Sequence, residues 1–187
     1  ETDRIELVIL QFMFSDPQKN IAQARFALGS AIADFGAGSG HYVKALSVAV
    51  GEKGTVFAVD VQKDLLTRIK KDSIHAKQKN VEIVWGDLET PKGTKLREGV
   101  LDGVVISNLL FQVPKKEAIA EEAKRVLKTG GTVLIIDWAD SISSIGPKKD
   151  LMFEKVKSQT LFEKQGFLFE REIDAGNHHY GIILRKV

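Results

Sequence analysis

The chain has 187 residues, 43% of them hydrophobic and 28% charged, and its 27 basic and 25 acidic side chains leave a formal charge of +2. That profile fits one globular domain with a full core, and a charge this mild points to no polyanionic partner. The absence of cysteine excludes disulfides, thiolate metal sites and cysteine nucleophiles within these residues. No apolar run approaches the ~20 residues that span a bilayer. Glu1-Thr2-Asp3-Arg4 lacks the pattern of a signal peptide, so the expected location is cytoplasmic.

Residues 1–29 read as a helical preamble, a lid or cap set before a single domain over 30–187. Either Asp16 caps a helix with Pro17 as its first residue, or Ser15 and Gln18 form a capping box. The helix carries Ile21, Ala24, Phe26 and Leu28 and is expected to stop at Gly29. Residues 31–35 form a short apolar strand suited to burial on both faces, and a glycine run follows at once. A helix is predicted over 42–50, a strand over 55–60, a helix over 63–77 and a strand over 81–85. The pattern continues with a strand over 101–107, a helix over 115–127 closed by Gly130-Gly131, a strand over 132–137 and a helix over 149–165. Two strands, 167–173 and 179–185, then flank a turn at Ala175-Gly176-Asn177. Alternating strands and helices imply βαβ units and a mostly parallel sheet with helices on both faces. The connection between the final pair is too short for a crossover, so that pair is antiparallel.

The glycine run carries the strongest chemical signal. It leaves a buried strand and enters a helix, where backbone approaches a ligand closely. Gly36-x-Gly38-x-Gly40 is neither a dinucleotide fingerprint nor a phosphate-cradling loop that ends in Gly-Lys-Ser/Thr. Asp60 ends the second strand, 20 positions after Gly40, where a carboxylate can accept from both hydroxyls of a ribose. Asp87 ends the third strand and can accept from an exocyclic amine. Ser107 and Asn108 end the fourth, beside the glycine loop. Together these residues describe a site for a nucleoside that carries little or no phosphate.

On these residues the chain resembles the class I S-adenosylmethionine-dependent methyltransferases. Asp34-Phe35-Gly36-Ala37-Gly38-Ser39-Gly40 is similar to their first motif, Val59-Asp60 to the ribose-binding motif and Gly86-Asp87 to the adenine-side motif. Residues 101–108 resemble the fourth-strand motif, and 125–132 the helix and turn before the fifth strand, with Thr129 in a common proline position. The general pattern is closest to the ubiquinone/menaquinone-biosynthesis branch. The resemblance implies a Rossmann-like α/β fold with a seven-stranded sheet, order 3-2-1-4-5-7-6 and strand 7 antiparallel. It implies S-adenosylmethionine as cofactor and S-adenosylhomocysteine as product. It also implies a cofactor site over Asp34, Gly36, Ala37, Gly38, Ser39, Gly40, Asp60, Val61, Gly86, Asp87, Leu88, Ser107 and Asn108. Gly36, Gly38 and Gly40 would approach the methionine end, and Asp34 would orient the loop or meet the amino group.

Methyl transfer is an in-line displacement that needs alignment, desolvation and sometimes a base. Without cysteine, cytosine-C5 methylation through a thiolate and arsenic methylation through cysteine ligands are excluded. Ser107-Asn108-Leu109-Leu110 is not the Asn/Asp-Pro-Pro-Tyr/Phe of amino-methyltransferases. Asp137, His41 and Asn108 are the candidate catalytic residues. Asp137 is either a base or a carboxylate that bonds loop amides, and no metal site is expected. His178 and His179 read as polar residues at a strand edge. Phe111, Gln112 and Trp138 are candidates for a substrate wall, and Phe12, Met13, Phe14 and Phe26 for the lining of an apolar pocket under the preamble. The expected partner is a small, partly apolar molecule methylated at oxygen or carbon. RNA along the basic 63–79 helix, or a cofactor-binding module without catalysis, are the alternatives, and no feature fixes the oligomeric state.

Overall fold

The computed structural model of the chain describes residues 15–140 and 146–187. Seven strands form one sheet, β1 (Ala31–Phe35), β2 (Thr55–Asp60), β3 (Val81–Trp85), β4 (Leu101–Ser107), β5 (Leu127–Trp138), β6 (Phe167–Ile173) and β7 (His179–Lys186). Their spatial order is β3-β2-β1-β4-β5-β7-β6. The pairs among β1 to β5 are parallel, and β7 runs antiparallel to both β5 and β6. This is the expected class I methyltransferase sheet.

The helices are α1 (Pro17–Ala24), α2 (His41–Val50), α3 (Lys63–His75), α4 (Lys116–Val126) and α5 (Lys155–Lys164). The period-two alternation of each strand sorts its side chains between two cores. Ala33, Phe35, Val104, Ile106, Val133, Ile135, Ile182 and Leu184 pack with Ile119 and Val126 of α4 and Phe162 of α5. Ile32, Val105, Leu134, Ile136 and Ile183 pack with α1, α2 and α3 through Ile21, Leu46, Val50 and Leu66. The central strands are buried on both faces, which is why they read as unbroken apolar runs.

Three boundaries differ from expectation by more than two residues, each for a local reason. Asp16 is the cap of α1, its Oδ1 accepting from the amides of Gln18 at 2.9 Å and Lys19 at 3.3 Å. That helix stops at Ala24 rather than Gly29 because Arg25 takes a left-handed conformation. β5 begins at Leu127, which pairs with Leu101, and the register shifts before Thr132 pairs with Gly103. Residues 128–131 are thus extra residues within the strand rather than a separate turn. The region over 149–165 splits into a short 3-10 turn, Lys149–Leu151, and α5, with Met152 extended between them. The Phe153 carbonyl there accepts from the Tyr180 hydroxyl at 2.9 Å, which diverts the chain from a helical path.

The preamble is partly built into the domain, since Ile21 and Ala24 of α1 are buried in the α2 core. Phe26 lies at the opposite end of the sheet from the strand-end loops, against Gly103, where a Cβ would meet its ring at 2.5 Å. Phe12, Met13 and Phe14 fall outside the described residues. No helix among the described residues is long and apolar enough to cross a membrane.

Candidate active site

Alternation continues past the apolar positions and decides which polar residues converge. Asp34 follows Ile32 on the α2 face of β1, Ser107 follows Val105 on β4, Trp138 follows Ile136 on β5, and His179 precedes Ile183 by four on β7. Because β7 is antiparallel, its first residue meets the ends of the parallel strands, and Trp138 pairs directly with His179. A cavity of about 510 Å³ opens there, bounded by Asp34, Ser107, Asn108, Trp138 and His179, by Gly36, Ala37, Gly38 and Ser39 of the glycine loop, by His41, Tyr42 and Gln112, and by Ser15 and Pro17 of the preamble.

The glycine loop has the backbone that its composition demands. Gly36 and Gly40 have φ of +74° and +83°. A Cβ on them would come within 2.9 Å of Leu109 Cδ1 and 2.8 Å of Ile69 Cγ1 respectively. At Gly38 a Cβ would meet only the Gly36 carbonyl, at 3.8 Å, so its surroundings are open. The end of β2 holds the loop. The amides of Gly36 and Ala37 donate to the Val59 carbonyl at 2.9 and 3.0 Å, and that of Gly38 donates to Asp60 Oδ2 at 2.9 Å. Asp60 Oδ1 accepts from the Gln62 amide at 2.8 Å. The expected ribose acceptor is therefore also the clasp of the loop, and each of its oxygens retains a lone pair for a further donor.

Asp34 is buried, and its carboxyl is pushed up to about 7 by desolvation and then by the neighbouring Asp60 charge. Tyr42 stands beside the cavity with its hydroxyl accepting from Asn20 Nδ2 at 2.7 Å and lying 3.1 Å from Ser15 Oγ. Burial raises its pKa against the hydrogen bonds of Ser15, Asn20 and Ser107. These bonds tie the preamble to α2 at the cavity rim.

Asn108 has a left-handed φ of 50°. Its amide donates to the Ile136 carbonyl at 2.9 Å, and its own carbonyl accepts from Gln112 Nε2 at 2.7 Å. Its buried side-chain Oδ1 has no hydrogen-bond partner among the described residues, and neither ring nitrogen of His179 has one. His179 is 7% exposed. Its ring centroid lies 4.4 Å from that of Trp138, at 36° between planes. Burial, and then the adjacent His178, lower its pKa to about 4 despite Asp140, so the imidazole is neutral at neutral pH. His178 itself is held by Asp140, Nδ1 to Oδ1 at 2.5 Å.

The other expected site residues are placed elsewhere. Gly40, Asp60, Val61, Gly86, Asp87 and Leu88 lie outside the cavity lining, from the start of α2 outward to the ends of β2 and β3. Asp87 is half-buried, with Oδ1 accepting from the Glu89 amide at 2.9 Å. Leu88 is buried and Val61 exposed, the Val61 carbonyl accepting from Trp85 Nε1 at 3.0 Å. Gly86 has no room for a Cβ, which would come 2.5 Å from the Gly93 carbonyl oxygen. Asp137 shares the alternation of Ile135 and so belongs to the α4 face. It is fully buried, accepting from the amides of Trp138 at 2.8 Å and Phe111 at 3.3 Å. Desolvation raises its carboxyl to about 6 against those bonds. His41 lines the cavity as the exposed first residue of α2. Of the proposed wall, Gln112 and Trp138 line the cavity and Phe111 does not. His179, read as a strand-edge residue, is the site residue that sequence reasoning missed. Extending the alternation back from Ile183 is the signal that finds it. No group of His, Cys, Asp and Glu among the described residues could hold a metal ion.

Comparison with known proteins agrees with this geometry. The methyltransferase domain family matches residues 33–135. A human arsenite methyltransferase is 33% identical over 117 residues, covering 59% of this chain and 31% of that protein. A demethylmenaquinone methyltransferase of Oceanobacillus iheyensis is 33% identical over 110 residues, covering 58% and 44%. The chain thus spans less than half the length of these two curated relatives. A crystal structure of a SAM-dependent methyltransferase from Aquifex aeolicus superposes with a TM-score of 0.85 at 25% identity, covering 95% of this chain and 93% of that one. The family match runs from β1 into β5 over more than half of the chain, and this protein belongs to the methyltransferase domain family.

Proposed function

We propose that this chain binds S-adenosylmethionine along the strand ends and directs its methyl group to the oxygen or carbon of a small, partly apolar molecule, releasing S-adenosylhomocysteine. The observation that carries the reading is the glycine loop, open at Gly38, clasped by Asp60 and opening onto a cavity. The residues fit such a cofactor. Gly38 leaves backbone open for close approach, while Gly36 and Gly40 let the loop pack against Leu109 and Ile69, and Asp34 offers a buried carboxyl to an amino group. Asp60 keeps lone pairs for ribose hydroxyls, and Asp87 stands at the end of β3 for the adenine.

The cofactor supplies an electrophilic methyl group, so what remains for the protein is alignment and exclusion of water. Asn108 and His41 border the cavity where the acceptor would lie. Asp137 acts through the Phe111 and Trp138 amides, holding the two loops that carry Gln112 and the cavity wall. The arsenite activity named for the human relative sits poorly with a chain that contains no cysteine. The carbon and oxygen acceptors therefore stand first.

Calorimetric titration with S-adenosylmethionine tests the reading, and binding is expected in the micromolar range, about −8 kcal/mol. Folded protein that binds more weakly than about 1 mM overturns it. Asp60→Ala loses charge-assisted hydrogen bonds and loosens the loop, and should weaken binding by ~1.5–3 kcal/mol. Radiolabelled methyl transfer into cell extract should place the label in small metabolites. Label in RNA would overturn the acceptor class.

A further inference from the structure

We propose that His179 is the residue that holds the methyl acceptor, and that it does so through a hydroxyl group of a neutral molecule shared with Asn108 Oδ1. The proposal rests on the methyltransferase reading of the cavity and adds the acceptor's subsite and chemical class.

Buried polar atoms nearly always have partners, so three unpartnered ones, on two residues that line a single cavity, call for an explanation. His179 Nδ1 and Nε2 and Asn108 Oδ1 are such atoms, and both residues line the cavity. Neither residue is placed by those atoms. His179 is fixed by its ladder pairing with Trp138 and by packing against the indole ring. The indole is backed in turn by Gly146, where a Cβ would lie 2.8 Å from Trp138 Cζ3. Asn108 is fixed by backbone bonds to Ile136 and Gln112. Their hydrogen-bonding capacity is held in position and left unspent, which is what a binding subsite requires.

The unspent capacity selects the ligand. Neutral imidazole offers one N–H donor and one bare nitrogen, and Asn108 Oδ1 only accepts. A hydroxyl group both accepts and donates, so it can accept from the imidazole N–H and donate to the amide oxygen, leaving only the bare ring nitrogen for a further donor. A carboxylate would face two lone pairs that repel it. An ammonium group would leave the imidazole N–H unpaired and would bring a full charge among buried atoms with no carboxylate partner among them. A hydrocarbon would leave all three atoms buried and unsatisfied, a cost that rejects it more strongly than a missing methylene would.

NMR on the protein saturated with S-adenosylhomocysteine tests this without turnover. The probes are 2-naphthol against naphthalene and cyclohexanol against cyclohexane, with the 15N shifts of the His179 ring as readout. At least one hydroxylated probe should move those shifts while its hydrocarbon partner does not. In His179→Phe, which keeps a ring against Trp138, preference for the hydroxylated probe should fall roughly 3- to 10-fold, with cofactor affinity unchanged. A merely structural histidine would leave that preference intact. Hydroxylated probes that leave the His179 ring unmoved overturn the proposal. Failure of the cofactor to bind overturns the methyltransferase reading instead, so the two failures are distinct.

Discussion

The proton on the buried Asp34 carboxyl couples stability to pH. Its carboxyl is raised from 3.8 to about 7, so between those values the folded chain holds a proton that the unfolded chain has released. Stability therefore falls as pH rises through that window. Asp34→Asn removes the penalty, and its melting temperature at pH 8 should exceed that of the unaltered protein. If the carboxylate meets the amino group of the cofactor, binding should expel this proton. Calorimetric affinity should then rise from pH 6 to pH 8 by about tenfold, with proton release detected by changing the buffer, and Asp34→Asn should abolish the trend. The stability gain and the binding loss in one variant would mark a group kept for function at the expense of the fold.

Among the elements, α4 carries a buried charge network that the site does not use. Glu122 accepts from Arg125 Nη2 at 2.7 Å and Nε at 2.8 Å, and from the Thr94 hydroxyl and amide at 2.5 and 3.1 Å. Burial alone would raise its pKa, but these partners outweigh it and hold the carboxyl below its ordinary value. The stability it contributes is present above pH 4.5 and is lost as pH falls through the depressed folded value. Glu122→Ala leaves Arg125 and Thr94 without their acceptor in the interior. It should cost about 3 kcal/mol in urea denaturation, with little change in cofactor affinity.

The elements also show what was legible in the chain. Apolar runs gave β1 to β4 their observed limits, because parallel strands in a covered sheet are mostly apolar, with Asp34, Glu82 and Asp102 the acidic interruptions. The terminal hairpin followed from connection length. Less legible was the continuation of β5 through Gly130 and Gly131, since the pairing of Leu127 with Leu101 is a tertiary choice. The side of Asp137 was legible in principle. Counting by twos from Ile135 sends it to the α4 face, while the same count sends Trp138 and His179 to the cavity. Ser15 and Pro17 reach the cavity through the packing of α1 on α2, which no local periodicity encodes.

Across the whole molecule, burial falls from the centre of the sheet to its edges. β1 and β4 are covered on both faces, whereas β3 and β6 are half-exposed. Amide hydrogen exchange should therefore be slowest in β1, β4 and the β5–β7 ladder and faster by orders of magnitude in β3 and β6. Uniform protection across the sheet would contradict this gradient.

The antiparallel course of β7 has a consequence for synthesis. Asp34 and His179 share one cavity but are separated by well over a hundred positions in the chain. At ribosomal rates that interval is on the order of ten seconds. During it, the glycine loop and Asp34 exist on a nascent chain that lacks His179 and so one wall of the cavity. The two walls of the cavity are thus made at opposite ends of that interval, and the cavity closes only once β7 pairs with β5.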